Sequence, residues 1–555
     1  MKQSSFLSPI IVFGVYAIAA VLFGCSEDPG QPESTDEPGA VDENLVVIDG
    51  PVFVHNLTDL EELAGVHEIR GDLTLEPREY IFNTGLLLLS SLRRVDGVLW
   101  ISGFHRLASL CGLDSLVHVG SLRLTGNDSL VSLIGLENLS RVEEEIRIEF
   151  CPVLSNLDAL EGVEFSGYLH LCELDALESL GGWFHGDTLD WLMLVSCPEL
   201  SNLRGIENVV SIGDIAISNC DALLDLSGLE SVSMVERVQL SDNDSFRNLN
   251  GLGAFESGVE TVEIRGSQGF DHWSEHAGSV AIGYLSIYRC ENFTSLGQLG
   301  DMPGVGGLSI NRCDNFESLA DHGDLNGLHE LHVSVCDALT SLDGLSDLNT
   351  LEELTLNTGP LIDSLGGLES LSSLSRLSLY GNDVITDFPD LSLMSNLKFL
   401  EICQFDALNN LNGLSGATNL EVLSIWHCNS LTDLAGAGHL ANLHRLGLHF
   451  LAGLQSLTGL SAPANFYAIS LSYLEQLPNL QGLEWLEHSE WAQIYSNDSL
   501  ISLDGLENLM SIGQGGLRFE SNHILDNCMV EEFVTTLEIE GSTLIRDNGP
   551  CLKSP

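Results

Sequence analysis

Three residues near the middle of the chain have the types and spacing of a zinc-hydrolase centre. His272 and His276 are four residues apart, and Glu275 stands between them. On an α-helix this spacing would put both imidazoles on one Zn²⁺ ion, with the carboxylate as general base. However, Phe270, Trp273 and His276 recur every third residue, which is not the rhythm of a helix. We therefore expect His276 to occupy a core position, and zinc hydrolysis ranks third among the functional hypotheses.

Arginine and aromatic residues form a second set of candidates, because they cluster beside short L-x-L pairs. The residue before each pair, its middle residue and the two after it hold nine of the 18 Arg, four of the seven Trp and six of the nine Tyr. The same positions hold only 12 of the 80 acidic residues. Such side chains dominate binding hot spots, through stacking and cation–π contacts that suit sugars and peptides alike. The alternative is that these arginines simply pair with neighbouring Glu residues on a sheet.

Two dense stretches of these side chains supply the predicted ligand-binding residues. The first consists of Tyr284, Tyr288, Arg289, Arg312 and His332. The second consists of Tyr380, Trp426, His427, His449, Tyr473, Trp491 and Tyr495. We expect both stretches to project from one face of the chain toward a protein, peptide or glycan.

The L-x-L pairs belong to a motif that recurs every 23 residues, as in SLRLTGNDSLVSLIGLENL at residues 121–139. Fifteen of the 20 intervals between successive pairs are 23 residues long. A fixed period of this length predicts a solenoid, in which each unit buries its apolar face by stacking on its neighbours. The 21 pairs begin at Val52, Leu73, Leu99, Leu122, Ile146, Leu169, Leu192, Ile215, Val238, Val262, Leu285, Leu308, Leu331, Leu354, Leu377, Leu400, Leu423, Leu446, Ile469, Ala492 and Leu517.

Each repeat divides into a strand and a back. The L-x-L pair alternates with period two, so both apolar side chains face inward from a short β-strand. From Leu130 the apolar spacing changes to three, through Leu133 and Leu136 to Leu139. Period three suits 3₁₀-like or extended turns and not an α-helix. The sequence therefore predicts a β-dominated solenoid whose strands form a parallel sheet.

Between strand and back, one position is Asn in five repeats and Cys in seven. A small polar side chain there can satisfy backbone groups that the inward turn would leave buried and unpaired. This position resembles the asparagine ladder of leucine-rich repeat proteins, and the Gly-Leu back is similar to receptor L-domains and the bacterial surface proteins built like them. Over roughly residues 45–550 the resemblance implies a curved horseshoe with its sheet on the concave face and no particular ligand. The predicted ladder residues are Asn127, Cys151, Cys197, Cys220, Asn243, Cys290, Cys313, Cys336, Asn382, Cys428, Asn497 and Asn522.

The N-terminus has the features of an export signal. Residues 10–23 are apolar, and Leu22-Phe23-Gly24-Cys25 resembles the lipobox of bacterial lipoproteins. The resemblance implies cleavage before Cys25, which then carries acyl chains, and Ser26 in place of Asp favours the outer membrane. An ordinary cleaved signal or a short signal-anchor helix stays open. Residues 26–44 are acidic and rich in Pro and Gly, which predicts a disordered tether.

The C-terminus is expected to form a cap closed by a disulfide. Cys528 and Cys551 flank a probable helix over residues 529–536 and one more degenerate strand over residues 543–548. An exported protein permits a disulfide between them. The predicted domains are thus a signal peptide at 1–24, the lipidated Cys25 and tether at 25–44, the solenoid at 45–527 and the cap at 528–555.

Net charge separates the remaining classes of function. The chain carries 80 acidic and 21 basic residues, for a net charge of −59, so the phosphates of nucleic acid would be repelled. Ca²⁺ sites stay possible, although no D-x-D-x-D-G loop appears. We favour a non-catalytic, lipid-anchored cell-surface recognition or adhesion protein that needs no cofactor. The second hypothesis is a passive structural envelope or coat protein.

Overall fold

The computed structural model describes residues 45–78, 86–181, 185–252, 258–273, 281–302, 304–461, 463 and 466–551. Within these residues, regular structure consists mainly of one 25-stranded parallel sheet. The strands are β1 (Val47–Asp49), β2 (Val52–Val54), β3 (Glu68–Arg70), β4 (Leu73–Leu75), β5 (Arg94–Ser102), β6 (His118–Thr125), β7 (Arg141–Glu149), β8 (Tyr168–Cys172), β9 (Thr188–Val195), β10 (Ser211–Ser218), β11 (Met234–Ser241), β12 (Val259–Arg265), β13 (Ile282–Tyr288), β14 (Val305–Asn311), β15 (Glu330–Ser334), β16 (Glu353–Asn357), β17 (Arg376–Tyr380), β18 (Phe399–Cys403), β19 (Val422–Trp426), β20 (Arg445–His449), β21 (Ala468–Ser472), β22 (His488–Tyr495), β23 (Ser511–Glu520), β24 (Glu538–Ile539) and β25 (Thr543–Arg546).

Helical structure is sparse in the same residues. The two α-helices are α1 (Leu57–Glu61) and α2 (Asn527–Val534). Five short 3₁₀ segments lie at Leu87–Leu89, Asp158–Leu160, Leu296–Leu299, Leu345–Asp347 and Asn412–Gly416. No described helix is long and apolar enough to cross a membrane.

Each strand pairs in parallel with the strand one repeat further along the chain. Leu122 of β6 is the register partner of Leu99 on one side and Ile146 on the other, and the same relation continues through the sheet. All 21 predicted L-x-L starts fall in this one row, from the pair Val52–Leu73 to the pair Ala492–Leu517. The chain is therefore a leucine-rich-repeat solenoid of about 21 coils of about 23 residues, as the spacing predicted.

A single apolar core runs through the stack of coils. Both inward residues of each regular strand are buried, as Leu122 and Leu124 show with no exposed surface. The back residues at spacing three are buried too, including Leu130, Leu133 and Leu136. The bend between them needs glycine at Gly135, because its φ is 111° and a Cβ would lie 2.2 Å from the Leu110 carbonyl oxygen.

Asn243 and Cys313 show that both residue types of the ladder can contact the same two backbone groups of the preceding coil. Asn243 accepts a hydrogen bond from the Cys220 N–H at 2.8 Å and donates one to the Ile217 carbonyl at 3.0 Å. The Cys313 thiol likewise accepts from the Cys290 N–H and donates to the Ile287 carbonyl at 3.8 Å. Each acceptor carbonyl lies 26 residues before its donor. A weak sulfur donor thus replaces an amide without leaving these groups unpaired.

All seven predicted ladder cysteines are free and buried. Burial raises the pKa of the Cys313 thiol to about 11, so the thiol stays protonated at neutral pH. Asn382 departs from the pattern, because it is half-buried and its side-chain oxygen accepts from Val384 N–H and Ile385 N–H of its own turn. At the C-terminal end, Asn548 extends the ladder by accepting from the Asn522 N–H at 3.2 Å.

The terminal cap contains the predicted disulfide, helix and strand. Cys528 and Cys551 are bonded, with their Cα atoms 5.1 Å apart. Helix α2 begins two residues before its predicted start, because Asp526 caps it by accepting from the Cys528 N–H at 2.9 Å. Strand β25 pairs with β23 and places Thr543 beside Leu517.

The ladder can be tested by exchanging its two residue types. Cys313→Ala should lower the free energy of unfolding by about 1–3 kcal/mol, because it leaves a buried N–H and a buried carbonyl without their partner. Cys313→Asn restores both contacts and should lose clearly less. Urea denaturation followed by circular dichroism measures both variants, and equal losses would contradict the ladder role.

Candidate binding face of the sheet

The solvent side of the parallel sheet, here called the sheet face, contains the predicted ligand-binding residues. One unusual backbone position borders it, immediately before the ladder residue in each coil. Fifteen of the 16 described non-glycine residues with positive φ occupy this position, here called the left-handed column. Its members are Phe150, Glu173, Ser196, Asn219, Asp242, Arg289, Arg312, Val335, Gln404, His427, Phe450, Tyr473, Ser496, Ser521 and Asp547.

The left-handed column is energetically costly and yet regular. For most L-residues this conformation costs about 1–2 kcal/mol, and β-branched Val335 adopts it with a φ of 54°. The backbone turns inward here so that the next residue can enter the ladder. Four of the predicted ligand-binding residues (Arg289, Arg312, His427 and Tyr473) lie in this column and are exposed.

Most arginines of the sheet face have carboxylate partners. For these residues the alternative raised from the sequence holds, namely that each arginine pairs with a neighbouring acidic residue. Glu145 receives hydrogen bonds from Arg123 at 2.6 Å and Arg147 at 2.9 Å. Burial alone would raise the pKa of Glu145, but the hydrogen bonds from Arg147 and Arg123 lower it below its usual value. The same pairing joins Arg237 to Asp214, Arg265 to Glu263, Arg376 to Glu353, and Arg518 to Glu520.

Three other arginines lack a carboxylate within ion-pair distance among the described residues. Arg445 lies over the ring of Tyr467, 5.3 Å from its centroid. Arg289 and Arg312 occupy adjacent coils of the left-handed column, where both are exposed. These two guanidinium groups are therefore available to an external anion.

The first predicted stretch forms one surface around these two arginines. The Tyr284 ring occupies the space beside Gly307 that a side chain would fill, because a Cβ there would lie 2.5 Å from Tyr284 Cδ2. Tyr288 receives Arg265 over its ring at 5.7 Å. His332 is half-buried and lies 2.6 Å from a Glu330 carboxylate oxygen, so that part of the patch is internally paired.

The second predicted stretch is largely packed against itself. The rings of His427 and Phe450 stack at 4.5 Å, and those of Phe450 and Tyr473 stack at 4.3 Å. Trp426 stacks on His449 at 4.0 Å. Because these ring faces contact one another, they are not available for stacking on a ligand. Phe450 was not among the predicted residues, although its position 23 residues from both His427 and Tyr473 indicates that it belongs to the same row.

Other members of the second stretch lie at its margins. Tyr495 meets Tyr473 edge-on at 5.5 Å and lies under Arg518 at 5.4 Å. Trp491 lies four residues before Tyr495 in the same strand, is half-buried and is the register partner of Ala468. Tyr380 is separated from Trp426 by the coil of Cys403. The Tyr380 hydroxyl donates to Glu401 at 3.3 Å.

His449 is the most buried polar side chain of this cluster. It is 7% exposed, its Nδ1 lies 2.6 Å from the Ser472 hydroxyl, and its ring packs over Gly447. A Cβ at residue 447 would lie only 3.0 Å from His449 Nε2. Loss of hydration on burial lowers the pKa of His449 to about 4.

Only one residue of the candidate zinc motif lies in the described chain, because Glu275 and His276 fall outside it. Both ring nitrogens of His272 have neighbours, with Asp271 at Nδ1 and Asn248 at Nε2. Phe270 and Trp273 are buried as predicted. The described residues contain one potential metal-ligand triplet, Asp526 with Cys528 and Cys551, whose two sulfurs form the disulfide.

Acid should destabilise the wild-type protein more than a His449→Phe variant. Because the folded pKa of about 4 lies below the ordinary value of 6.5, the unfolded chain binds the proton first as the pH falls. The stabilisation is therefore complete above pH 6.5 and should decline by about 3 kcal/mol by pH 4. Urea midpoints across this pH range measure the difference, and parallel curves for the two proteins would contradict the assigned burial.

Comparisons with known proteins give a limited result. No protein-family profile matches the chain, and no curated protein matches it. An internalin of Listeria monocytogenes is 15% identical, with 70% of this chain and 86% of that one covered and a TM-score of 0.32. A leucine-rich-repeat protein of Leptospira interrogans is 16% identical, with 88% and 92% covered and a TM-score of 0.23. The Toll–Spätzle complex of Drosophila is 13% identical, with 90% and 69% covered and a TM-score of 0.40. At such low scores none of these structures bears on what this chain binds.

Proposed function

We propose that this protein is a non-catalytic recognition or adhesion protein that holds its ligand on the sheet face. The observation that carries the proposal is the pair Arg289 and Arg312. Six other arginines of the face have carboxylate partners, whereas these two are exposed and form no ion pair within the described residues. Acidic residues are abundant in a chain with a net charge of −59, so the lack of an ion pair at two adjacent arginines favours a role in binding an external anion.

A passive envelope or coat protein is the second candidate. The self-stacked rings of His427, Phe450 and Tyr473 favour it, because they stabilise the coil stack without a ligand. The half-exposed ring of Tyr284 and the exposed guanidinium groups of Arg289 and Arg312 favour recognition, because a passive spacer does not require them. We infer that the first stretch, around Arg289 and Arg312, binds the ligand and that the second stretch stabilises the stack of coils.

The proposal includes a lipid anchor at Cys25, which lies outside the described residues. Its support is the lipobox-like Leu22-Phe23-Gly24-Cys25 after an apolar run, followed by an acidic Pro- and Gly-rich segment. Several acyl chains inserted together would hold the protein stably at a membrane surface. We place the protein on the outer membrane, with the solenoid displayed to its ligand.

A defined array of glycans, peptides and proteins tests the location of recognition. The full chain is compared with a sheet-face variant, Tyr284→Ala with Arg289→Gln and Arg312→Gln. The matched control carries Val131→Ser and Ile134→Ser, two exposed apolar residues on the back. At least one ligand should be lost only in the sheet-face variant, with circular dichroism unchanged. Ligands lost only in the control would contradict recognition by the sheet face.

Lipidation is tested by Cys25→Ser. The wild-type protein should partition into the detergent phase and show an acylated N-terminal Cys25 by mass spectrometry. The variant should lose both properties while its solenoid retains the same circular dichroism. Equal partitioning of the two proteins into detergent would refute the lipid anchor.

A further inference from the structure

We propose that strands β13, β14 and β15 form a binding site for an anionic saccharide, with Arg289 and Arg312 holding its carboxylate or sulfate groups. This inference rests on the proposed recognition function and names its ligand class. The site runs from the ring of Tyr284 across Ser309 and Asn311 to the two arginines.

The two arginines lie side by side because of the strand register. Tyr288 is the register partner of Asn311, so the next residues, Arg289 and Arg312, fall in neighbouring coils. Strands of a sheet are about 4.8 Å apart, which brings two like charges close together. An anion between them would offset this repulsion, and guanidinium groups bind carboxylate and sulfate oxygens in a bidentate manner.

At the opposite end of these strands, Tyr284 offers a platform. Gly306 and Gly307 carry no side chains, and the Tyr284 ring lies against the backbone at Gly307. The Tyr284 ring is half-exposed, and an exposed aromatic ring can receive the apolar face of a sugar.

Between the platform and the arginines, the floor is polar and incompletely paired. The side-chain oxygen of Asn311 is buried and has no hydrogen-bond partner within the described structure. A buried acceptor without a donor is costly, and a ligand hydroxyl would satisfy it once the Asn311 side chain rotates outward. From Tyr284 to Arg289 the strand covers about 16 Å, which is room for a short oligosaccharide.

A saccharide fits this floor better than an acidic peptide does. Peptides that bind sheets usually add a strand at an exposed edge. Here β14 is hydrogen-bonded on one side to β13 and on the other to β15, so no edge is free. Hydroxyl groups, an aromatic platform and two cations match a ring-shaped, hydroxyl-rich anion.

Titration calorimetry on the full chain tests the site with four probes. Tetragalacturonate supplies carboxylates and a heparin-derived tetrasaccharide supplies sulfates, while maltotetraose is neutral and tetraglutamate is an anionic peptide. At least one anionic saccharide should bind, and Arg289→Gln with Arg312→Gln should weaken it about 100-fold, with about tenfold lost for each charged contact. Tyr284→Ala should weaken binding about tenfold as well.

The matched control is Arg123→Gln with Arg147→Gln, two sheet-face arginines of adjacent coils that are paired with Glu145. This control should bind as the wild type does. Binding by neither anionic saccharide, equal loss in the control, or equal binding of tetraglutamate would each overturn the proposal. If the array ligand is lost in the sheet-face variant but is not an anionic saccharide, the recognition function stands and only this inference fails.

Discussion

After each strand the backbone turns inward, and this turn governs how the coils pack. It buries a backbone N–H and a carbonyl of the preceding coil, and a buried backbone group without a partner is costly. Asn243 and Cys313 show two solutions to the same requirement, one with an amide and one with a thiol. Because each solution reaches back to the previous coil, no coil can form this contact alone, and stability depends on stacking.

The same turn prepares the surface that we assign to recognition. To bring the ladder residue inward, the residue before it adopts a left-handed conformation, which leaves its side chain exposed at Arg289 and Arg312. Where that residue is aromatic, as at His427, Phe450 and Tyr473, successive rings stack instead. The same left-handed backbone conformation therefore presents two adjacent cations in one part of the chain and a stack of aromatic rings in another.

Fold was predictable from the sequence because the apolar spacing recurs so often, and every L-x-L start fell in its predicted register. The site was only partly predictable. The positions of the arginines in the sequence do not reveal which of them are paired with a neighbouring carboxylate, as Arg123 and Arg147 are with Glu145. Nor did composition reveal that the Tyr284 ring occupies the space left by the missing side chain of Gly307. A second row of asparagines, on the exterior, was not predicted. Asn396, Asn419 and Asn442 each donate a hydrogen bond to a carbonyl 24 residues earlier. Because these residues are exposed and polar, they do not contribute to the apolar periodicity from which the fold was predicted.

A crystal structure of the full chain with the anionic tetrasaccharide that binds most tightly would test this assignment of the binding site. We expect electron density across β13 to β15, with carboxylate or sulfate oxygens within hydrogen-bond distance of Arg289 and Arg312 and a sugar ring against Tyr284. Density on the back of the coils, at the terminal cap, or over the stacked rings of His427 and Tyr473 would contradict it.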